Sequence, residues 1–150
     1  DAALVVSSGG CNAVPIEIAQ IFRRTGIKVV AVVSRQHCDA STSRHPEGLK
    51  QPECADLVLD GGAPPGDAVV EIPGLDTPVA PASTIGRSVL VNCLKAEVAN
   101  RLVQAGQPPK VLTASCRVGA KRSQELFEAA YDEHARRMAG LYERLGISSE

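Results

Sequence analysis

The sequence predicts a parallel α/β fold, and three observations carry that prediction. The chain has 150 residues, 44% of them hydrophobic, yet only two Phe, two Tyr and no Trp. Its core must come from Val, Ile, Leu and Ala, the palette of strands buried on both faces and of Ala-rich helices. Two apolar runs, Ala2–Val6 and Lys28–Val33, are separated by a Gly/Ser turn and a helical stretch. Together they read as one βαβ unit, whose crossover is right-handed as a rule. Two later stretches repeat apolar residues at helical spacing. The length suits a single domain with a real core.

Taken in order, the first strand breaks into Ser7-Ser8-Gly9-Gly10, and Asn12 can then cap a helix with Pro15 in its first turn. Gly26 stops that helix, and the second strand ends at Ser34. Residues 35–53 read as a long polar loop, a length that is functional or mobile as a rule. Residues 56–60 read as a third strand and 68–72 as a fourth strand or edge piece, with loop over 73–81. Ser83-Thr84 opens a helix that Gly106 ends. Residues 110–114 read as a short strand, and 123–145 as a long helix with Phe127, Tyr131, Met138, Leu141 and Leu145 on one face. His134 falls in that apolar seam and reads as a packing residue or one at a subunit contact.

Net charge is −1, with Lys and Arg spread along the chain, and there is no aromatic platform for stacking bases. Both facts argue against a nucleic-acid partner. Five cysteines without a CxxC pair read as reduced thiols of a cytoplasmic protein, and His37-Cys38 lacks the spacing of a closed metal site. No cofactor is expected, since neither a Walker loop nor a GxGxxG fingerprint occurs. No apolar run reaches the roughly 20 residues of a membrane span, and no signal peptide is visible. The chain opens with Asp1, close to a strand, which suggests that something upstream is left out.

Several residues can meet an anion. Ser7, Ser8, Gly9, Gly10 and Asn12 lie between a buried strand and a helix start, where backbone N–H groups and the helix dipole favour negative charge. Ser34 closes the next strand at the same level. Ser83 and Thr84 open another helix, and the bland reading there is a simple cap. Ser43 and Arg44 sit in a polar loop, where the guanidinium can clamp a phosphate, and His45 beside them can move a proton near neutral pH. Asp67 is a turn-former or an acceptor for a sugar hydroxyl.

These segments together resemble a bacterial family of uncharacterised SIS (sugar isomerase) domain proteins, described as phosphosugar-binding. The matching pieces are Asn12-Ala13-Val14-Pro15-Ile16-Glu17, Ser43-Arg44-His45-Pro46, Ala55-Asp56, Pro65-Gly66-Asp67-Ala68 and Ser83-Thr84. The likeness runs from Asp1 to about Cys116. It implies a doubly wound, Rossmann-like parallel sheet over residues 1–118, with 119–150 as a helical extension packed on it or on a partner subunit. It also implies a sugar phosphate as ligand, a homodimer or higher homo-oligomer, and an amino-terminal part that precedes Asp1 and completes the pocket.

This chain departs from the family at several places. Where the family has serines for phosphate, Gly9 and Cys38 stand here, Gly61 replaces an Asn, and Arg87 replaces a small residue. Each lost hydroxyl removes a hydrogen bond worth about 0.5–1.5 kcal/mol. Three readings remain open: an aldose–ketose isomerase with His45 as acid–base group and Glu17 behind it, a non-catalytic phosphosugar sensor, and an assembly module docking through its last helix.

Overall fold

The computed structural model describes residues 1–146. It is an α/β protein built on a three-stranded parallel sheet, with five helices among the described residues. The elements are β1 (Ala2–Val6), α1 (Ala13–Arg24), β2 (Lys28–Val33), α2 (Arg35–Ala40), a 3₁₀ turn (Gln51–Cys54) and β3 (Leu57–Asp60). They continue with β4 (Ala68–Val70), β5 (Val79–Pro81), α3 (Ser83–Gln104), α4 (Ser115–Val118) and α5 (Ala120–Leu145). The chain divides into two compact units, Asp1–Lys95 and Ala96–Glu150.

In the first unit the strand order is β1-β2-β3, all parallel. Ala2 pairs with Lys28 through to Val6 with Val32, and Val30 with Leu57 through to Val33 with Asp60. The central strand carries the uninterrupted apolar run, and Val29, Ala31, Val32 and Val33 are fully buried. A central strand with a neighbour on each side and α1 packed against it suits that composition. Val5, Ile16, Ala19, Val29 and Cys54 form the core, with Phe22, Leu49 and Ala55 packed against it.

α1 ends as its sequence asks. Gly26, at φ +79°, donates to Arg23 O at 3.0 Å, and Ile27 N reaches back to Phe22 O at 2.9 Å. That is a Schellman closure, which needs the left-handed glycine.

Residues 35–53 are not a continuous loop. They hold α2 and the 3₁₀ turn, each fixed by groups distant in sequence. Asp60 Oδ1 accepts from Arg35 N at 3.1 Å at the start of α2, and Lys50 Nζ donates to Cys38 O at 2.6 Å at its end. Negative charge at the first turn and positive charge at the last both suit the helix dipole. β4 pairs antiparallel with β5, so the expected fourth strand is half of a separate two-stranded ribbon. Part of the segment read as loop over 73–81 is therefore strand.

The second unit holds the end of α3, then α4 and α5. The strand expected over 110–114 is absent: no ladder forms there, and Val111 and Leu112 are 56% and 63% exposed. An apolar run becomes a strand only where another strand satisfies its backbone. α5 buries none of its residues, and His134 is exposed rather than packed. No helix among the described residues is long and apolar enough to cross a membrane.

Candidate functional site

A polar cleft of about 470 Å³ opens at the carboxyl end of β1. Ser8, Gly9, Cys11 and Asn12 line one side, and His37 with residues 41–44 lines the other. The turn above it is held by backbone. Ser7 N donates to Val32 O at 3.0 Å, Ser34 N to Ser8 O at 3.0 Å, and Gln51 N to Gly10 O at 2.8 Å. The Ser7 hydroxyl accepts from Gly10 N at 3.2 Å, so it closes the turn internally. Gly10 takes φ +61°, and a Cβ there would press on Val33 Cγ1 at 3.0 Å and Cys38 Sγ at 3.3 Å.

The start of α1 faces this cleft through Asn12. The Asn12 side chain makes no capping bond to the first turn. Its Oδ1 instead accepts from Arg44 Nη1 at 3.4 Å. With Pro15 in the first turn, the remaining early N–H groups carry the partial positive charge of the helix end and have no side-chain acceptor. Arg44 is exposed and makes no ion pair among the described residues. A bound anion at this place would meet helix dipole, hydroxyls and a guanidinium together.

The second helix start is arranged differently. Asp67, at φ +70°, accepts from Ser83 N at 2.7 Å through Oδ1. Its Oδ2 accepts from Ser83 Oγ at 2.5 Å and from Ser8 Oγ at 3.4 Å. The two turns therefore do converge on one negative group, and that group is the protein's own carboxylate. These hydrogen bonds, the Ser83 hydroxyl first, hold the Asp67 carboxyl below the ordinary carboxylate value, with nearby Arg87 adding to the effect and burial opposing it. Ser83 is buried and committed, whereas Thr84 is exposed.

Other expected residues have structural partners. Ser34 Oγ accepts from Ala63 N at 3.3 Å, and Ser43 Oγ donates to Leu49 O and accepts from His45 N. His45 is 9% exposed, and its Nδ1 accepts from Glu47 N at 3.2 Å. It lines a separate cleft of about 330 Å³ with Glu17, Gln20 and Arg24. His45 and Glu17 thus share a cleft, but not the one that Ser8 and Arg44 line. Cys38 is buried, and burial followed by the neighbouring Cys11 pushes its thiol up to about 11.

No family model matches the chain. The chain is similar to bacterial proteins named UPF0309. One from Brucella anthropi is 38% identical over 134 residues, 89% of this chain and 54% of that protein. One from Listeria innocua is 32% identical over 133 residues, again 89% of this chain and 54% of that protein. A third, from Halalkalibacterium halodurans, is 39% identical over 115 residues, 77% of this chain and 48% of that protein. The chain spans about half the length of the curated relatives it matches.

Three residues that matter here escaped the sequence reading of the site. By sequence His37 offers itself only as a metal ligand, yet its ring lies in the cleft against Gly9. Gln51 is fully buried, and its Nε2 donates to Val5 O at 2.8 Å. A Cβ on Gly86 would stand 2.2 Å from Gly61 O, so only glycine lets the first turn of α3 approach the end of β3. None of the three has a local sequence signal, because each depends on a contact far along the chain.

Proposed function

We propose that this chain is the phosphosugar-binding part of an SIS-domain protein, with the phosphate held in the cleft at the start of α1. The observation that carries the reading is the uncapped first turn of α1 beside Ser8, Asn12 and Arg44. Helix amides without a side-chain cap, a guanidinium with free donors and a Gly/Ser turn at a strand end make a recurrent anion site in α/β proteins. In this reading the β1-β2-β3 sheet belongs to a larger doubly wound sheet, and the working protein is a cytoplasmic homo-oligomer.

Of the activities open to such a site, phosphosugar sensing is favoured over isomerisation. An isomerase needs an acid–base group at the sugar carbons beside the phosphate subsite. His45 lines another cleft, and its Nδ1 is occupied by Glu47 N. Calorimetric melting with a panel of sugar phosphates tests the reading. A ligand at one hundred times its dissociation constant stabilises the fold by about 2.7 kcal/mol. Arg44→Ala should abolish most of that shift, and a flat response across the panel would refute the assignment.

A further inference from the structure

We propose that His37 is a phosphate-binding residue of this cleft, donating from Nε2, and that it holds the space a side chain at position 9 would fill. This rests on the phosphate reading above. A Cβ built on Gly9 would lie 2.7 Å from His37 Cδ2 and 3.0 Å from Nε2. Real Cβ atoms essentially never approach a neighbour as closely as the first of these distances. Gly9 is thus what allows the imidazole to lie over the strand-to-helix turn, and the ring stands where a residue-9 side chain would reach into the cleft.

The two ring nitrogens differ. Nδ1 is buried without a hydrogen-bond partner. Nε2 makes no hydrogen bond among the described residues and is not shut away from solvent, and the residue lines the cleft. Nε2 is therefore the ring nitrogen open to a ligand in the cleft. His37 lines the cleft together with Ser8 and Arg44. Ser41 Oγ donates to the His37 carbonyl at 2.7 Å, and Lys50 Nζ holds the next carbonyl, which fixes the backbone that carries the ring. A phosphate oxygen in the cleft would give Nε2 the charged acceptor it lacks.

The experiment titrates inorganic phosphate and fructose 6-phosphate by calorimetry into the parent chain, His37→Ala, His37→Gln, Gly9→Ser, and the double variant Gly9→Ser/His37→Ala. His37→Ala should weaken phosphate by about tenfold. His37→Gln, which keeps a donor, should lose less. Gly9→Ser alone should bind poorly, because the ring must swing away from its place in the cleft. The double variant, with a hydroxyl where the ring stood, should regain most of the affinity. The ¹⁵N resonance of His37 Nε2 should shift on adding phosphate to the parent. Unchanged affinity in His37→Ala, with binding still lost in Arg44→Ala, would overturn the role of His37 alone. A parent chain that binds neither probe would overturn the phosphate site as well.

Discussion

Ser83 is tied to Asp67 twice, its N–H donating to Oδ1 at 2.7 Å and its hydroxyl to Oδ2 at 2.5 Å. Asp67 thereby does the work of an N-cap for α3 from outside the helix, and its backbone O also accepts from Ala82 N at 2.9 Å. Loss of a cap costs about 1 kcal/mol. Asp67→Ala should cost that or more in chemical denaturation, since φ +70° also disfavours alanine.

Acid should erase that contribution. The Asp67 carboxyl lies below its unfolded value, chiefly through the Ser83 hydroxyl, so the stability it confers is present above pH 3.8 and lost as pH falls through the folded value. Asp60 is lowered by the N–H groups of Gly62 and then Arg35, with the same sign. The stability gap between the parent and Asp67→Asn should therefore be constant near neutrality and close below pH 3.8. A gap that persists unchanged into stronger acid would contradict the geometry.

Gly86→Ala should be among the most damaging small substitutions in the first unit. Its Cβ would meet a backbone oxygen, Gly61 O, which cannot rotate away like a side chain. Overpacking of this kind costs about 1–3 kcal/mol. Gly140, also inside a helix, has nothing near its missing Cβ. Gly140→Ala should be neutral or stabilising, by up to about 1 kcal/mol. Denaturant midpoints of the pair separate contact from helix propensity.

Gln51 stitches β1 to the turn above the cleft through Val5 O and Gly10 O. Gln51→Ala would remove the side-chain bond to Val5 O, an oxygen the β1–β2 ladder also uses, and open a cavity in a fully buried place. A lost intramolecular hydrogen bond costs about 0.5–1.5 kcal/mol, and the cavity adds to that. Hydrogen exchange near β1 should speed up in this variant and remain unaltered near α5.

The five thiols should separate by reactivity. Cys93 and Cys116 are exposed, whereas Cys11, Cys38 and Cys54 are buried. Burial also raises Cys38 and Cys54. The thiolate is the reactive form. Iodoacetamide at pH 8 should therefore alkylate Cys93 and Cys116 first, and peptide mapping should find Cys38 protected until the fold opens.

What the sequence made legible follows from how local each signal is. β2 spans the residues expected, and α3 begins at Ser83 as its hydroxyl pair predicted. Both rest on periodicity and end signals that act within a few residues. α2 did not show because six residues carry no readable period, and its ends are held by Asp60 and Lys50 from elsewhere. β5 hid behind Ala80 at φ +66° and Pro81, neither of which reads as strand. At the cleft, Ser8, Asn12 and Arg44 were legible from residue type and position. That Ser83 serves Asp67, and that His37 faces Gly9, required the folded chain.

The aromatic residues carry a practical consequence. Both tyrosines, Tyr131 and Tyr142, lie on α5, and the chain has no tryptophan. Tyrosine emission therefore originates in the Ala96–Glu150 unit alone. No tyrosine or tryptophan lies in the strands or in the turn that lines the cleft. A single tryptophan at Phe22, which packs on the core of the first unit, would give that half of the chain its own optical voice.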